Sequence, residues 1–183
     1  MNIKKILDLK IGGQWLVSPA ANENIFCRES FSQDHKDIEK MVLEFAGEKI
    51  FPNVRKIENL DEDFSRSIME EMGNLGLIGV DAPEKYGGTE LDKITACIVT
   101  EGIGFGGSSS FGCTFGVQTG IGSLGIVFFG TPEQKRKYLP KLMSGESIAA
   151  YGLTEPSSGS DALSAKTSAV LSEDGTHYIL NGE

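Results

Sequence analysis

The residues with the most chemical potential lie in one short run, Tyr151-Gly-Leu-Thr-Glu-Pro-Ser-Ser-Gly-Ser-Asp161. Thr154, Ser157, Ser158 and Ser160 crowd hydroxyls together there, with backbone N–H groups between them. Such a nest can hydrogen-bond a polar planar ring or cradle a phosphate. Glu155-Pro156 fixes a turn, and Gly159 permits a close backbone approach. A solvated β-turn has the same composition, because Ser, Gly, Pro and Asp dominate turns. On composition alone the turn is the stronger reading.

Other chemistries find less support. The chain has 183 residues, enough for one domain or one and a fraction. Its 17 Lys and Arg against 26 Asp and Glu give a net charge of −9. That balance is a poor match to a phosphate backbone, so no nucleic acid partner is expected. Cys27, Cys97 and Cys113 form no C-x-x-C, so neither a disulfide framework nor a metal site is expected. Cys97 and Cys113 stand among apolar residues and read as buried thiols of a reducing compartment. The two histidines, His35 and His177, read as surface residues, and no nucleophile–His–acid pattern stands out. No run approaches the ~18 apolar residues of a membrane span, so no integral membrane segment is expected. The N-terminal stretch lacks the apolar core and cleavage site of a signal peptide.

The elements that must position the 151–161 run are helical. Residues 1–30, with Trp15, show no sustained period and read as a leader. From Ser32, an N-cap, Ile38, Met41, Val42 and Phe45 follow the spacing of one buried helix face. Phe51-Pro52 interrupts it. A second helix is expected from about Asp63 to Asn74, with Phe64, Ile68, Met72 and Leu75 inward and Gly76 as left-handed cap. Asp61-Glu62-Asp63 reads as its solvated start. Leu77 to Val80 reads as a short extended stretch. A third helix covers roughly Leu91 to Ile103. A fourth, Ser110 to Phe129, is apolar almost all round and so should be central. Its glycines at 112, 116, 120, 122 and 125 each disfavour a free helix by roughly 1 kcal/mol, so close helix packing or a ligand must compensate. Thr131-Pro132-Glu133-Gln134 is a capping-box helix start; Pro140 should kink or restart that helix, and Gly145 end it.

The period then changes. Ser147 to Thr154 reads as a strand, Ala165 to Leu171 as a second, and Tyr178 to Leu180 as a third beyond an Asp174-Gly175 hairpin turn. Three strands without a second layer cannot bury a sheet face, so a fragment of a longer protein is expected. The fold class is therefore mainly α: a helical bundle over 31–146, then the first strands of an incomplete β-domain over 147–183.

The run Tyr151-Gly-Leu-Thr-Glu-Pro-x-x-Gly-Ser-Asp-Ala162, with Thr167-x-Ala169 and Tyr178-x-Leu-Asn-Gly182 after it, resembles the acyl-CoA dehydrogenase signature. Leu75-Gly-Leu-Ile-Gly79, Pro83-Glu-x-Tyr-Gly-Gly88, Phe129-Gly-Thr-Pro-Glu-Gln-Lys135, Tyr138-Leu-Pro-x-Leu142 and Ser144-Gly-Glu146 agree in order and spacing. The likeness covers about residues 31–182. Ser157-Ser158 and the Thr114 to Gly116 stretch look most like the very-long-chain type and its larger bacterial relatives.

The resemblance implies an oxidoreductase that uses FAD to convert fatty acyl-CoA to trans-2-enoyl-CoA in fatty acid β-oxidation. By it, Tyr151, Leu153, Thr154, Gly159 and Ser160 bind the cofactor, and Ser160 also approaches the CoA part of the substrate. Gly112 and Gly116 border the far end of the acyl pocket, or else let another helix approach. The catalytic glutamate belongs to a C-terminal part that this chain lacks, so no catalytic residue is assigned and this chain alone is expected to be inactive. Glu101 reads as paired or exposed. Expected partners are an electron-transferring flavoprotein and further copies of the chain in a homo-oligomer. The expected location is the bacterial cytoplasm or the mitochondrial matrix. Rival readings are an acyl-CoA oxidase or flavin monooxygenase on the same scaffold, or a non-catalytic helical interaction module.

Overall fold

The computed structural model describes residues 26–183. The leader reading falls largely on 1–25, Trp15 included, and so lies outside the described residues. Its last residues form a 3-10 turn, Arg28–Ser30, tied to the helices through Arg28, which pairs with Glu39 and, at 3.3 Å, with Glu101.

The described residues form seven α-helices: α1 (Gln33–Phe45), α2 (Val54–Glu58), α3 (Glu62–Asn74), α4 (Lys93–Gly104), α5 (Ser109–Thr119), α6 (Leu124–Phe129) and α7 (Pro132–Met143). An antiparallel hairpin, β1 (Ser168–Leu171) and β2 (Tyr178–Asn181), pairs Ser168 with Asn181 and Leu171 with Tyr178. The expected class holds: mainly helical, then a short incomplete sheet.

Most helix starts are set locally. The side chains of Ser32, Asp61, Asp92, Ser108 and Thr131 each accept a hydrogen bond from an N–H three residues on. Thr131 and Gln134 form the full capping box, with Thr131 N–H donating to Gln134 Oε1 at 2.8 Å. Gly76, at φ +75°, closes α3 as expected. The helix α7 runs through Pro140 as one helix, so of the expected kink or restart the restart does not occur. α2 was hidden behind Phe51-Pro52, where a π turn (Ala46–Ile50) and a 3-10 turn (Phe51–Asn53) carry the chain from α1 without a break.

α1 packs chiefly on α4. Val42 is fully buried at the crossing, and a Cβ on Gly102 would overlap its side chain. The core joins Val42, Phe45, Ile50, Ile68, Met72, Ile78, Val99, Ile103, Phe111 and Phe115. Leu75, expected inward, is exposed, because α3 ends at Asn74 and the chain has begun to turn. Leu77 to Val80 is buried but forms turns rather than a strand; its carbonyls accept from Thr89 and Leu91 N–H groups instead.

His35 corrects another expectation: only 12% of its side chain is exposed. Ser32 N–H donates to Nδ1 at 3.3 Å, so the proton sits on Nε2, which donates to Asp92 at 3.2 Å. Asp92 also caps α4 through Thr95, so one pair ties two helix starts together. Burial alone would raise the Asp92 carboxyl, but the bonds from Thr95 and His35 outweigh it and leave it below its ordinary value. Cys97 and Cys113 are exposed, as is Cys27. Cys113 lies on the face of α5 turned away from the core residues Phe111 and Phe115, and Cys97 opens on a surface cavity beside α4.

The expected fourth helix is two. By length and composition Ser109–Phe129 could cross a membrane, but only 28% of its most apolar window is buried and its backbone breaks after Thr119. It is also less central than expected. Gly120 leaves helical dihedrals, at φ −104° and ψ −111°, and a turn through Ser123 separates α5 from α6.

Gly73 gives a direct check of helix packing. Helix propensity alone favours Ala there by about 1 kcal/mol. A Cβ would, however, run into the Ser144 backbone at the end of α7. Gly73→Ala should therefore lose about 1–3 kcal/mol, as overpacked sites do. A melting temperature that rises instead would show that α3 and α7 do not touch there.

Candidate functional site

The site is built around residues 147–167. No strand forms over Ser147–Thr154, because no neighbouring strand among the described residues pairs with it. Among the described residues, the N–H groups of 150–154 find no partner, and neither do the hydroxyls of Thr154, Ser157 and Ser160. The second expected strand shortens to Ser168–Leu171; Ala165 and Thr167 precede it.

Directly after the open segment the chain closes on itself. Glu155 N–H donates to Ser158 O at 2.9 Å, and Ser158 N–H returns a bond to Glu155 O at 3.1 Å. Ser158 Oγ donates to Asp161 O at 2.8 Å and is 3% exposed. Its hydroxyl is therefore spent inside the loop, which corrects its reading as a ligand donor. The Glu155 carboxylate accepts from Lys166 N–H at 2.6 Å and Thr167 N–H at 3.1 Å. The Thr167 side chain, then these two N–H groups, hold the Glu155 carboxyl below the ordinary carboxylate range. This clamp joins the loop to the start of β1.

The remaining loop residues point outward. Tyr151, Leu153, Thr154, Gly159 and Ser160 are all exposed, and a Cβ on Gly159 would meet nothing. The loop thus offers N–H groups, free hydroxyls and an open glycine side by side. That donor set suits an acidic, planar or phosphorylated ligand.

A second feature lies between α4 and α5. A cavity of about 540 Å³ is lined there by Leu77, Val80, Ala96, Cys97, Phe115 and Gly116, among others, with Asp81 and Lys93 paired at its edge. Gly116 lines it and Gly112 does not. A Cβ on either would meet nothing, so close packing by another described helix is not their role. Gly122 differs, since its Cβ would strike Ala149. No loop residue from 151–160 lines this cavity. Glu101 lies at its edge, exposed and paired with Arg28, as expected.

Sequence reasoning missed Gln118. It is fully buried on α5, and its amide bonds to Leu142 O, Ser147 O and Ala149 N–H. A glutamine in an apolar helix was the one available signal. It also missed Glu58, which accepts from Ser108 Oγ at 2.6 Å and Ser110 Oγ at 2.9 Å and so holds α2 against the start of α5. The Ser108 and then the Ser110 hydroxyls hold its carboxyl below the ordinary range.

Comparison with known proteins gives this geometry a family. The family model "Acyl-CoA dehydrogenase, N-terminal domain" matches residues 32–146. A probable acyl-CoA dehydrogenase of Bacillus subtilis is 48% identical over 180 residues, which are 98% of this chain and 30% of that protein. A crystal structure of a Bacillus anthracis acyl-CoA dehydrogenase complexed with FAD superposes with a TM-score of 0.86 at 47% identity, over 93% of this chain and 29% of the other. The prolyl acyl carrier protein oxidase AnaB aligns at a TM-score of 0.72 and 32% identity, over 84% of this chain and 40% of its own. The chain thus spans about a third of the length of such relatives. The matched helices, the order of elements and the level of identity agree, and this chain belongs to the acyl-CoA dehydrogenase family, whose N-terminal helical domain it carries.

Proposed function

We propose that this chain provides the helical domain and the first flavin-contacting segment of an FAD-dependent dehydrogenase of long-chain fatty acyl-CoA. The observation that supports this most is the open run from Ala150 to Thr154, whose N–H groups have no partner among the described residues, next to the Ser160 hydroxyl, likewise without a described partner, and the bare Gly159. These residues fit the group. FAD bound there would supply the hydride acceptor, and the protein would supply position and electrostatics. Thr154 directs its N–H and hydroxyl at the flavin edge where negative charge grows, and Leu153 and Tyr151 pack beside the ring. Gly159 and Ser160 face the pyrophosphate, and Ser160 also meets the CoA portion.

The acyl chain runs toward the α4–α5 cavity, past Gly116, with Gly112 nearby. No carboxylate of the described residues is assigned as the base; Glu58, Glu101 and Glu155 all have structural partners. Residues 31–146 form the helical domain, 147–183 open the β-domain and 1–30 lead in. An electron-transferring flavoprotein receives the electrons, and the enzyme works as a homo-oligomer in the bacterial cytoplasm or mitochondrial matrix. AnaB, an oxidase on the same scaffold, supports oxidase chemistry as the second reading.

The complete gene product should be yellow and should bleach when palmitoyl-CoA is added without oxygen. A colourless protein that takes up no FAD would overturn the proposal. A yellow protein that does not bleach would keep the flavin segment and remove the long-chain substrate.

Thr154→Val should slow flavin reduction about 10-fold or more, as loss of a charge-stabilising donor does. An unchanged reduction rate and cofactor content would remove Thr154 from the site.

Glu155 adds a pH dependence. A folded-state pKa below the ordinary value, about 4.3 for Glu, means the clamp is fully present above that value. It is lost as pH falls through the lower folded value. FAD affinity should hold steady from neutrality to about pH 5 and fall only under stronger acid. Glu155→Gln, with one acceptor left for two N–H groups, should bind FAD more weakly even at neutral pH. Titration by flavin fluorescence tests both.

A further inference from the structure

We infer that Gln118 is a positioning residue for the flavin segment, a role that rests on the proposed FAD site at Tyr151 to Ser160. Its side chain is 0% exposed, and each polar atom of its amide has a partner. Nε2 donates to Leu142 O at 2.8 Å and to Ser147 O at 2.9 Å, while Oε1 accepts from Ala149 N–H at 2.6 Å. Only one orientation of the amide satisfies all three, since two partners are acceptors and one is a donor.

The two backbone partners have a meaning of their own. Ser147 C=O and Ala149 N–H flank one residue, and in an extended chain they lie on the same edge. A neighbouring strand would normally pair with both. Here one side chain does so, and the third bond fixes it to a carbonyl in the last turn of α7. The amide thus replaces a missing strand at one step and sets the register of the residues beyond Ala149. A slip of one residue would turn the next backbone groups, including the Thr154 N–H, to the opposite edge.

Neighbouring contacts reinforce the clamp. Ser123 Oγ donates to the Gln118 backbone carbonyl at 2.5 Å, and Gly122 lies close against Ala149. Gln118 sits two residues beyond Gly116, which lines the α4–α5 cavity. The helix that borders the apolar cavity therefore also fixes the start of the polar loop. Nothing else among the described residues bonds to the backbone of 148–154.

The test uses the complete protein with Gln118→Leu and, as control, Val42→Ala, a core change on α1 remote from the segment. Gln118→Leu should expose the Ala149 amide to fast hydrogen exchange, a readout that needs no flavin. It should also weaken FAD binding at least tenfold by fluorescence titration. Val42→Ala should lower the melting temperature yet leave FAD affinity within twofold. FAD affinity unchanged in Gln118→Leu, or lost equally in both variants, would overturn the positioning role and leave Gln118 a plain core residue. Wild type that binds no FAD would sink the flavin site itself, and that outcome shows before any substitution is made. If Gln118→Leu does not fold, Gln118→Glu carries the test. It keeps the acceptor for Ala149 but loses both donors when ionised, so its FAD affinity should recover as pH falls and the carboxyl regains a proton. A flat pH profile would count against the inference.

Discussion

A single buried amide holds the two halves of this chain in register. Gln118 reaches from α5 to the last turn of α7 and to the segment that leaves it. A polar side chain in so apolar a helix costs free energy unless each donor and acceptor is met. Here each is met, so the same feature that makes it costly to remove makes it specific. Ile148 and Ala149 add apolar contacts to the core, and the Gln118 amide adds the hydrogen bonds that orient the backbone between them.

Around that point the helices are arranged by ordinary means. Capping side chains start them, glycines at Gly73 and Gly102 let α3 meet Ser144 and α4 meet α1, and aliphatic and aromatic residues fill the space between. Polar ties join elements at the surface: His35 with Asp92 and Glu58 with Ser108 and Ser110 at helix ends, and Arg28 with Glu39 and Glu101. The hairpin differs. Val170, Leu171, Tyr178, Ile179 and Leu180 are all exposed, and among the described residues the Glu155 clamp holds Lys166 and Thr167, just before its first strand. A lone two-stranded hairpin is marginal in water, so its shape here depends on that clamp and the Asp174-Gly175 turn.

The two features with functional potential arise from this division. Between α4 and α5 the surface is apolar and carries a glycine that leaves room. After Ser147 the backbone is polar and open. The two features are separate surfaces: no residue of the 151–160 loop lines the cavity.

Local signals in the sequence determined what local physics controls. Capping residues at Ser32 and Thr131, the left-handed glycine after α3 and the Asp174-Gly175 turn act over three or four residues, so their outcomes could be read directly. The glycine- and hydroxyl-rich run was legible as a polar loop. Only the tertiary structure decided which of its groups were free. Ser158 is consumed because Asp161 folds back on it, and Thr154 stays open because no described strand comes beside it. The same holds for the cysteines, for His35 and for the break at Gly120: each depends on which face meets a distant neighbour, and periodicity does not name that neighbour. Gln118 is the clearest case. Its three partners lie 24 to 31 residues away, so no spacing in the sequence could reveal that one amide takes the place of a strand.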